Sequence, residues 1–469
     1  MPSNIELQSK ESESPFVRSK NALSDHEGQK ASSRRLSGRS RMSKPNTSHL
    51  DNALSTALAK RKQQSTIRQL TTNPATSIDF SSNDFLSLAT SQELRAAFLK
   101  ELQSDPALAN HLGSGGSRLL DGNSTYAERL ENDIAEFHGA EAGLLCNSGY
   151  DANAGLFSCL PQPGDVVVYD EFIHASVHDG MRMSRARKLV HFTHNEPAAL
   201  RRVLEDCVAE DEALREGRRN VFISVEAVYS MDGDVAPLRD FVAVVKAVLP
   251  KGNGHLIVDE AHSNGIFGPR GRGLVSGLGL EKEVTVRLHT FGKALACNGG
   301  ILLCSPLIRQ YLINYARPMI YTTFMSYPAL AAIRASYSFL MEGKTVALAR
   351  NLQMLIRALH ERLLEMQESL NLATNMQHLL QCPQQCPDTP IFSILSFEPK
   401  ILAAHCQRSG FVVRGILPPT VPEGTERIRV CLHAGNSVEQ IDALVATIRK
   451  WVAKRVHELE SGKDVTARL

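Results

Sequence analysis

Residues 254–262 read GHLIVDEAH: an apolar run, Leu256, Ile257 and Val258, meets Asp259 and Glu260, and His262 follows three positions after Asp259. An unbroken apolar run of this kind suits a strand covered on both faces of a parallel sheet. In such sheets ligands bind outside the carboxyl ends of the strands. Asp259 therefore reads either as a carboxylate facing a ligand crevice or as an aspartate capping the next helix. His262 is close enough in sequence to share that crevice. An Asp-x-x-His spacing is also compatible with a metal, but no further ligand cluster accompanies it.

Outward from this stretch the pattern repeats. GDVVVYD (164–170), NVFISVEAV (220–228) and GGILLCS (299–305) each read as a further buried strand of the same parallel sheet. Between them, EPAALRRVLEDCVAE (196–210) and PLRDFVAVVKAVL (237–249) carry apolar residues at helical spacing. Alternating strands and helices predict an α/β fold with right-handed crossovers. Beyond about residue 335 a long helical stretch (345–370) leads to the short runs PIFSILSF (390–397), GFVVRGIL (410–417) and RIRVCL (427–432), then to a last helix (437–459). This predicts a smaller C-terminal α+β domain. The expected organisation is a disordered tail over 1–48, an N-terminal segment over 49–110, a large domain over 111–335, a small domain over 336–460 and a flexible tail over 461–469.

The hydrophobic fraction of 43% and charged fraction of 22% over 469 residues suit a globular chain with a sizeable core. A net charge of +2 gives no global field for nucleic acid or an anionic membrane, and no run of about 18 apolar residues suggests a spanning helix. Nine scattered cysteines favour a reducing compartment over a disulfide framework. Cys382 and Cys386 lie in CPQQC without a second ligand pair at zinc-site spacing and read as a loop. Residues 30–45, KASSRRLSGRSRMSKP, are polar and basic, while Glu6, Glu11 and Glu13 speak against an acid-poor mitochondrial presequence. The chain ends Ala467-Arg468-Leu469, a small–basic–leucine tripeptide similar to a peroxisomal address; peroxisomal import through its receptor is the expectation, with a frayed tail and a cytoplasmic enzyme as the alternative.

Four features carry chemistry. Lys293 lies in HTFGKALACNGG (289–300), among glycines that let the backbone approach a bound group; desolvation there would lower its pKa and make it a nucleophile towards an aldehyde. The plainer reading is a solvated loop lysine. Asp259 could pair with a protonated pyridine nitrogen. Ser148 and Gly149 in CNSGY (146–150) form a turn that opens a helix, which suits a phosphate or simply a capped helix start. His174, after VVVYDEF, could stack on an aromatic ring or serve the structure alone. Their order along the chain is what resembles the fold-type I enzymes that use pyridoxal 5'-phosphate (PLP).

Within that class the chain resembles the α-oxoamine synthases, from about Asp79 to about Trp451. The resemblance is carried by FSSNDFLSL (80–88), GSGGSRLLDGNS (113–124), SGYDAN (148–153), HAS (174–176), VEAVYSMDGDVAPL (225–238), VDEAHSNGIFGPRGRG (258–273), TFGK (290–293), RPMIYTTFMS (317–326) and PPTVPEGTERIRV (418–430). It implies a PLP-dependent transferase fold, with a large mainly parallel sheet and a smaller α+β domain. By the same resemblance Lys293 is the Schiff-base lysine, Asp259 pairs with the ring nitrogen and His174 stacks on the ring. Ser230 and His262 lie near the phenolic oxygen, and Ser148, Gly149, Tyr150 and Thr290 hold the phosphate. Thr322 and Thr323 reach the phosphate of a neighbouring subunit, implying a homodimer with shared sites. Arg429 grips the amino-acid carboxylate, and Asn83 belongs to the same substrate-binding set.

The implied reaction condenses an amino acid, alanine favoured, with an acyl-CoA and releases carbon dioxide and CoA; the biotin-forming branch of the family uses pimeloyl-CoA. Departures bear on the acyl group. Leu417 stands where that branch usually carries arginine, with Arg414 three residues earlier, and Ala127 and LACN (295–298) are expected to alter the lining. A sister synthase using a fatty or polyketide thioester is the alternative. A non-catalytic PLP-fold subunit is a further one, against which the presence of Lys293, Asp259 and His174 speaks.

Overall fold

The computed structural model describes residues 48–64 and 66–461; apart from Ser48 and Ser461, the expected tails over 1–48 and 461–469, with the C-terminal tripeptide, lie outside them. Of the described residues, those up to Thr72 form one unit and those from Asn73 another, so the division falls inside the expected 49–110 segment. In the first unit, α1 (His49–Gln63) starts at a capping box in which Ser48 and Asp51 each accept from the other's backbone N–H.

In the second unit seven strands make the central sheet: β1 (Ala142–Cys146), β2 (Val166–Asp170), β3 (Lys188–Phe192), β4 (Val221–Glu226), β5 (Gly254–Asp259), β6 (Val286–Thr290) and β7 (Gly300–Cys304). Their spatial order is β1-β7-β6-β5-β4-β2-β3. Neighbours are parallel from β6 through β3, but β7 is antiparallel to both β6 and β1. GGILLCS is thus a buried strand as expected, but not a parallel one. The connection from Thr290 to Gly300 is too short for a crossover, which needs about a dozen residues or more, so the chain turns straight back.

Helices cover both faces: α2 (Thr125–Phe137), α3 (Gly149–Cys159), α4 (Ala175–Arg182), α5 (Pro197–Glu210) and α6 (Leu238–Val248). Successive strand side chains point to opposite faces. Val166, Val168, Ile223, Val225, Leu256 and Val258 accordingly pack with α5 and α6, while Val167, Phe222 and Ile257 pack with α3 and α4. α3 and α4 begin just past the carboxyl ends of β1 and β2, which brings Ser148 and His174 to one edge of the sheet.

The C-terminal part holds α7 (Val346–Leu370), α8 (Val438–Glu460) and a three-stranded antiparallel sheet of β8 (Ile391–Leu395), β9 (Arg414–Ile416) and β10 (Arg427–Cys431), in the order β9-β10-β8. Leu352, Leu355, Ile356, Leu359 and Leu363 on α7 meet Ile441, Leu444 and Ile448 on α8 over this sheet. Each such side chain contributes about 1.5–3 kcal/mol by leaving water. Residues 78–88 belong to the same core: Phe80, Phe85, Leu86 and Leu88 are buried in it, and Ile78–Asp79 pair in parallel with Phe411–Val412. That docking carries Asn83 to the base of β10.

Candidate active site

The carboxyl ends of β4, β5 and β6 open into a cavity of about 410 Å³. Lys293 and Asp259 line it together, as do Ser148, Gly149, Tyr150, His174, Ser230, His262, Thr290, Asn83 and Arg429. Side chains from the whole length of the second unit therefore converge on one space.

Asp259 is the last residue of β5 and is buried. Its Oδ1 accepts from the Ala261 N–H at 2.9 Å, so it does cap the following turn; its Oδ2 accepts from Asn153 Nδ2 at 2.9 Å. Asn153, on α3, also donates to Ser176 Oγ at 3.0 Å, and Ser176 Oγ lies 2.7 Å from His174 Nδ1. His174 Nδ1 accepts from the Ser176 N–H at 3.2 Å, which puts the ring proton of the neutral imidazole on Nε2. Burial and the Lys293 charge lower the His174 pKa against the pull of Asp259. An uncharged imidazole oriented in this way is free to lie against an aromatic ring.

Lys293 sits in the tight loop between β6 and β7. Phe291 N–H donates to Gly299 C=O at 3.0 Å, Cys297 N–H to Phe291 C=O at 2.8 Å and Ala296 N–H to Lys293 C=O at 2.9 Å, so the loop is internally braced. Phe291, Ala294 and Leu295 anchor it in the core. Burial lowers the Lys293 pKa, while Asp259 and Glu226 oppose that and Arg429 adds to it. The result raises the share of free amine at neutral pH.

Ser148 is the N-cap of α3, its Oγ accepting from the Asp151 N–H at 3.0 Å. The first-turn N–H groups of Gly149 and Tyr150 have no acceptor within the helix. A Cβ at position 149 would stand 2.3 Å from Thr290 Cγ2, so glycine lets α3 close onto β6. Thr290 Oγ1 is buried without a hydrogen-bond partner. Free helix N–H groups beside an unsatisfied hydroxyl fit a phosphate. His262 Nδ1 is likewise buried and unpartnered, and burial holds this imidazole neutral, its pKa well below the ordinary value.

Opposite, Arg429 on β10 donates Nε–H to Ser230 C=O at 2.6 Å and Nη2–H to Asn83 Oδ1 at 2.9 Å. These partners are uncharged oxygens, so the guanidinium keeps its charge for a ligand carboxylate. An amine nucleophile, an acid, a flat imidazole, an anion cradle and a carboxylate receptor around one cavity fit PLP and an amino acid.

Thr322 and Thr323 stand apart from this space within the single chain. Thr322 lines a neighbouring smaller cavity with Arg118, Cys146 and Phe324, and the Thr323 carbonyl accepts from Asn147 Nδ2 at 2.7 Å. Ala127 does not alter the lining as expected: it is buried among Tyr126, Leu130 and Ile134. Of LACN only Asn298 lines the cavity; Ala296 and Cys297 line an adjoining groove. Cys382 is buried and Cys386 exposed. Sequence reasoning gave no role to Glu226, Asn153, Ser176 or Met231, which also line the cavity. The signal for Glu226 was available: it ends an apolar strand just as Asp259 does, and the two are in register.

Residues 75–448 match the family model of class I and II aminotransferases. An 8-amino-7-oxononanoate synthase of Emericella nidulans is 54% identical over 86% of this chain and 96% of its own length. The chain belongs to this family, as an α-oxoamine synthase. The synthase is also 41% identical to the aminoacyl transferase sphA of Aspergillus fumigatus, over 84% of this chain and 85% of that one. A solved structure of SPT with its PLP internal aldimine superposes with a TM-score of 0.73 at 24% identity, covering 87% of this chain and 100% of that chain, a likeness of fold. The synthase is a PLP-dependent acyl-transferring enzyme with the fold-type I architecture expected of it.

Proposed function

We propose that the synthase condenses L-alanine with pimeloyl-CoA, releasing carbon dioxide and CoA, to form 8-amino-7-oxononanoate for biotin synthesis. The observation that carries this reading is the 54% identity to the Emericella nidulans enzyme of that name along nearly its whole length. When bound, PLP supplies an electron sink that lets bonds at the amino-acid Cα break. The chain's residues then have distinct tasks. Arg429, aimed by Ser230 and Asn83, binds the amino-acid carboxylate. Lys293 anchors the cofactor and moves the Cα proton. Asp259 would hold a proton on the cofactor's ring nitrogen, and His174 would support the ring. Ser148, Gly149, Tyr150 and Thr290 would hold the phosphate, and His262 and Ser230 would lie on the side of the phenolic oxygen. Thr322 and Thr323 complete the phosphate site of a second copy, so the working unit is a homodimer.

A second reading rests on the 41% identity to sphA and on Leu417, an apolar residue at a position where the resemblance to the biotin branch implies an arginine. In that case the acyl chain carries no terminal charge. One assay separates the two: alanine with a panel of acyl-CoAs, followed by release of the CoA thiol. The expected result is kcat/KM for pimeloyl-CoA higher than for unsubstituted long chains by about tenfold or more. Turnover of long chains with none of pimeloyl-CoA overturns the biotin reading and leaves the α-oxoamine synthase reading intact.

A further inference from the structure

Three chain segments behind the cavity converge on His194, which does not line it. Its Nδ1 lies 2.8 Å from Asp170 Oδ1 and its Nε2 lies 2.8 Å from Asp234 Oδ2. Carboxylate oxygens accept, so both ring nitrogens donate, and an imidazole that donates twice carries a positive charge. The ring stacks on Phe172 at 4.5 Å and meets Tyr229 edge-on at 4.4 Å. Glu171 accepts the His194 backbone N–H at 2.8 Å. The titratable groups facing the imidazole are therefore Asp170, Glu171, Tyr229 and Asp234. Burial alone would lower its pKa, but the hydrogen bonds and charges of Asp170 and Asp234 outweigh burial and push it up to about 10.

Each acid governs a segment that enters the cavity. Asp170 ends β2, accepts from the Phe172 N–H at 2.9 Å and the Asn195 N–H at 2.9 Å, and leads within four residues to His174. Asp234 closes the turn 229–234, in which Tyr229 N–H donates to Asp234 C=O at 3.1 Å and Gly233 N–H to Tyr229 C=O at 2.9 Å. Ser230, in that turn, offers its carbonyl to Arg429 Nε. The turn's far side is held by Thr389 Oγ1, which donates to Gly233 C=O at 2.5 Å, and by the Arg427–Asp232 ion pair.

We propose that His194 is a positioning residue: clamped between Asp170 and Asp234, it fixes the turn whose Ser230 carbonyl aims Arg429 and the segment that presents His174. The inference rests on the reading of Arg429 as the receptor for the amino-acid carboxylate. It predicts a selective loss of amino-acid binding when the clamp opens, because Arg429 relies on the Ser230 carbonyl, whereas His174 is also held by Ser176, so the acyl-transfer chemistry is largely kept.

The test uses the full-length, PLP-loaded protein with His194→Gln, Asp234→Asn and both together. Alanine affinity is read by titrating the cofactor absorbance without acyl-CoA, alongside kcat and amide hydrogen exchange over 170–175 and 228–235. The expected result is an alanine Kd raised about tenfold with kcat within about threefold, faster exchange confined to those segments, and a double variant no worse than the worse single one. An unchanged Kd in variants that bind PLP overturns the proposal, whether or not thermal stability falls. If His194→Gln does not fold, Asp234→Asn alone carries the same readings and the same two outcomes. Should the wild type bind no amino acid, the function proposed above fails instead; the clamp is then judged by hydrogen exchange, where confined loosening supports it and no change refutes it.

Discussion

The two walls of the cavity are built by different means. On the sheet wall, Asp259, Thr290, Lys293, Ser148 and His174 lie at or just past the carboxyl ends of strands, so strand direction alone gathers them. On the facing wall, Asn83 and Arg429 are 346 positions apart, yet hydrogen-bonded at 2.9 Å. Only the docking of residues 78–88 into the C-terminal core brings them together. The electrostatics differ too. The sheet wall mixes acids, imidazoles and an amine, and the charges of Asp259 and Lys293 act on the pKa values of His174 and Glu226, whereas the facing wall presents one guanidinium among neutral oxygens. A rigid sheet edge suits bond-making chemistry, and a separate cation suits recognition of substrate charge. Substitutions on the two walls should therefore separate turnover from binding.

The largest effect is expected on the sheet wall. Lys293→Ala should lower kcat by about four orders of magnitude, since it removes both the covalent anchor and the proton carrier. Carbon dioxide release with saturating substrates measures this, and the visible band of the lysine-linked cofactor should vanish while PLP still binds. Activity within about tenfold of wild type would erase the difference between the walls. On the facing wall Arg429→Lys keeps the charge but loses the fork, so the amino-acid KM should rise about 100-fold with kcat changed only a few-fold. A fall in kcat at unchanged KM would move Arg429 into the chemistry and break the comparison from the other side.

How far sequence reveals each wall follows from the same contrast. Asp259 and His174 were readable from local pattern, because an apolar run marks a strand and its end marks the ligand side; Lys293 was legible from the glycines around it and Ser148 from a turn that opens a helix. Arg429 and Asn83 carry no local mark and were reached only through family resemblance. The antiparallel course of β7 was hidden because Ile301, Leu302, Leu303 and Cys304 are apolar in either direction; only the short connection from Thr290 decides it. KLVHF (188–192) and VRLHT (286–290) escaped as strands for another reason. Leu189 is exposed on an edge strand, and Arg287 is a buried charge that donates to His138 C=O at 3.0 Å. Asn153 and Ser176 act by orienting other side chains, and that relation exists only in space.

Glu226 offers the smallest and sharpest test. It faces the cavity from the position on β4 that registers with Asp259 on β5, so the sheet wall holds two adjacent buried acids. Two such groups do not both ionise readily. Burial first, then the Asp259 charge, push the Glu226 carboxyl well above its ordinary value of 4.5, with Lys293 pulling the other way. Glu226 then holds its proton to higher pH in the folded protein than in the unfolded chain. Its contribution is intact below pH 4.5 and declines as pH rises towards the folded value, because the folded state binds the extra proton. Glu226→Gln removes that dependence: its thermal midpoint should gain on the wild type as pH rises from the acid side to neutrality, with kcat within about threefold. A loss of kcat beyond about tenfold, with no pH-dependent gain in stability, would mean that Glu226 works ionised. The sheet wall would then carry two working anions against one amine, and Asp259 could no longer be singled out as the acid that sets the charge of the ring.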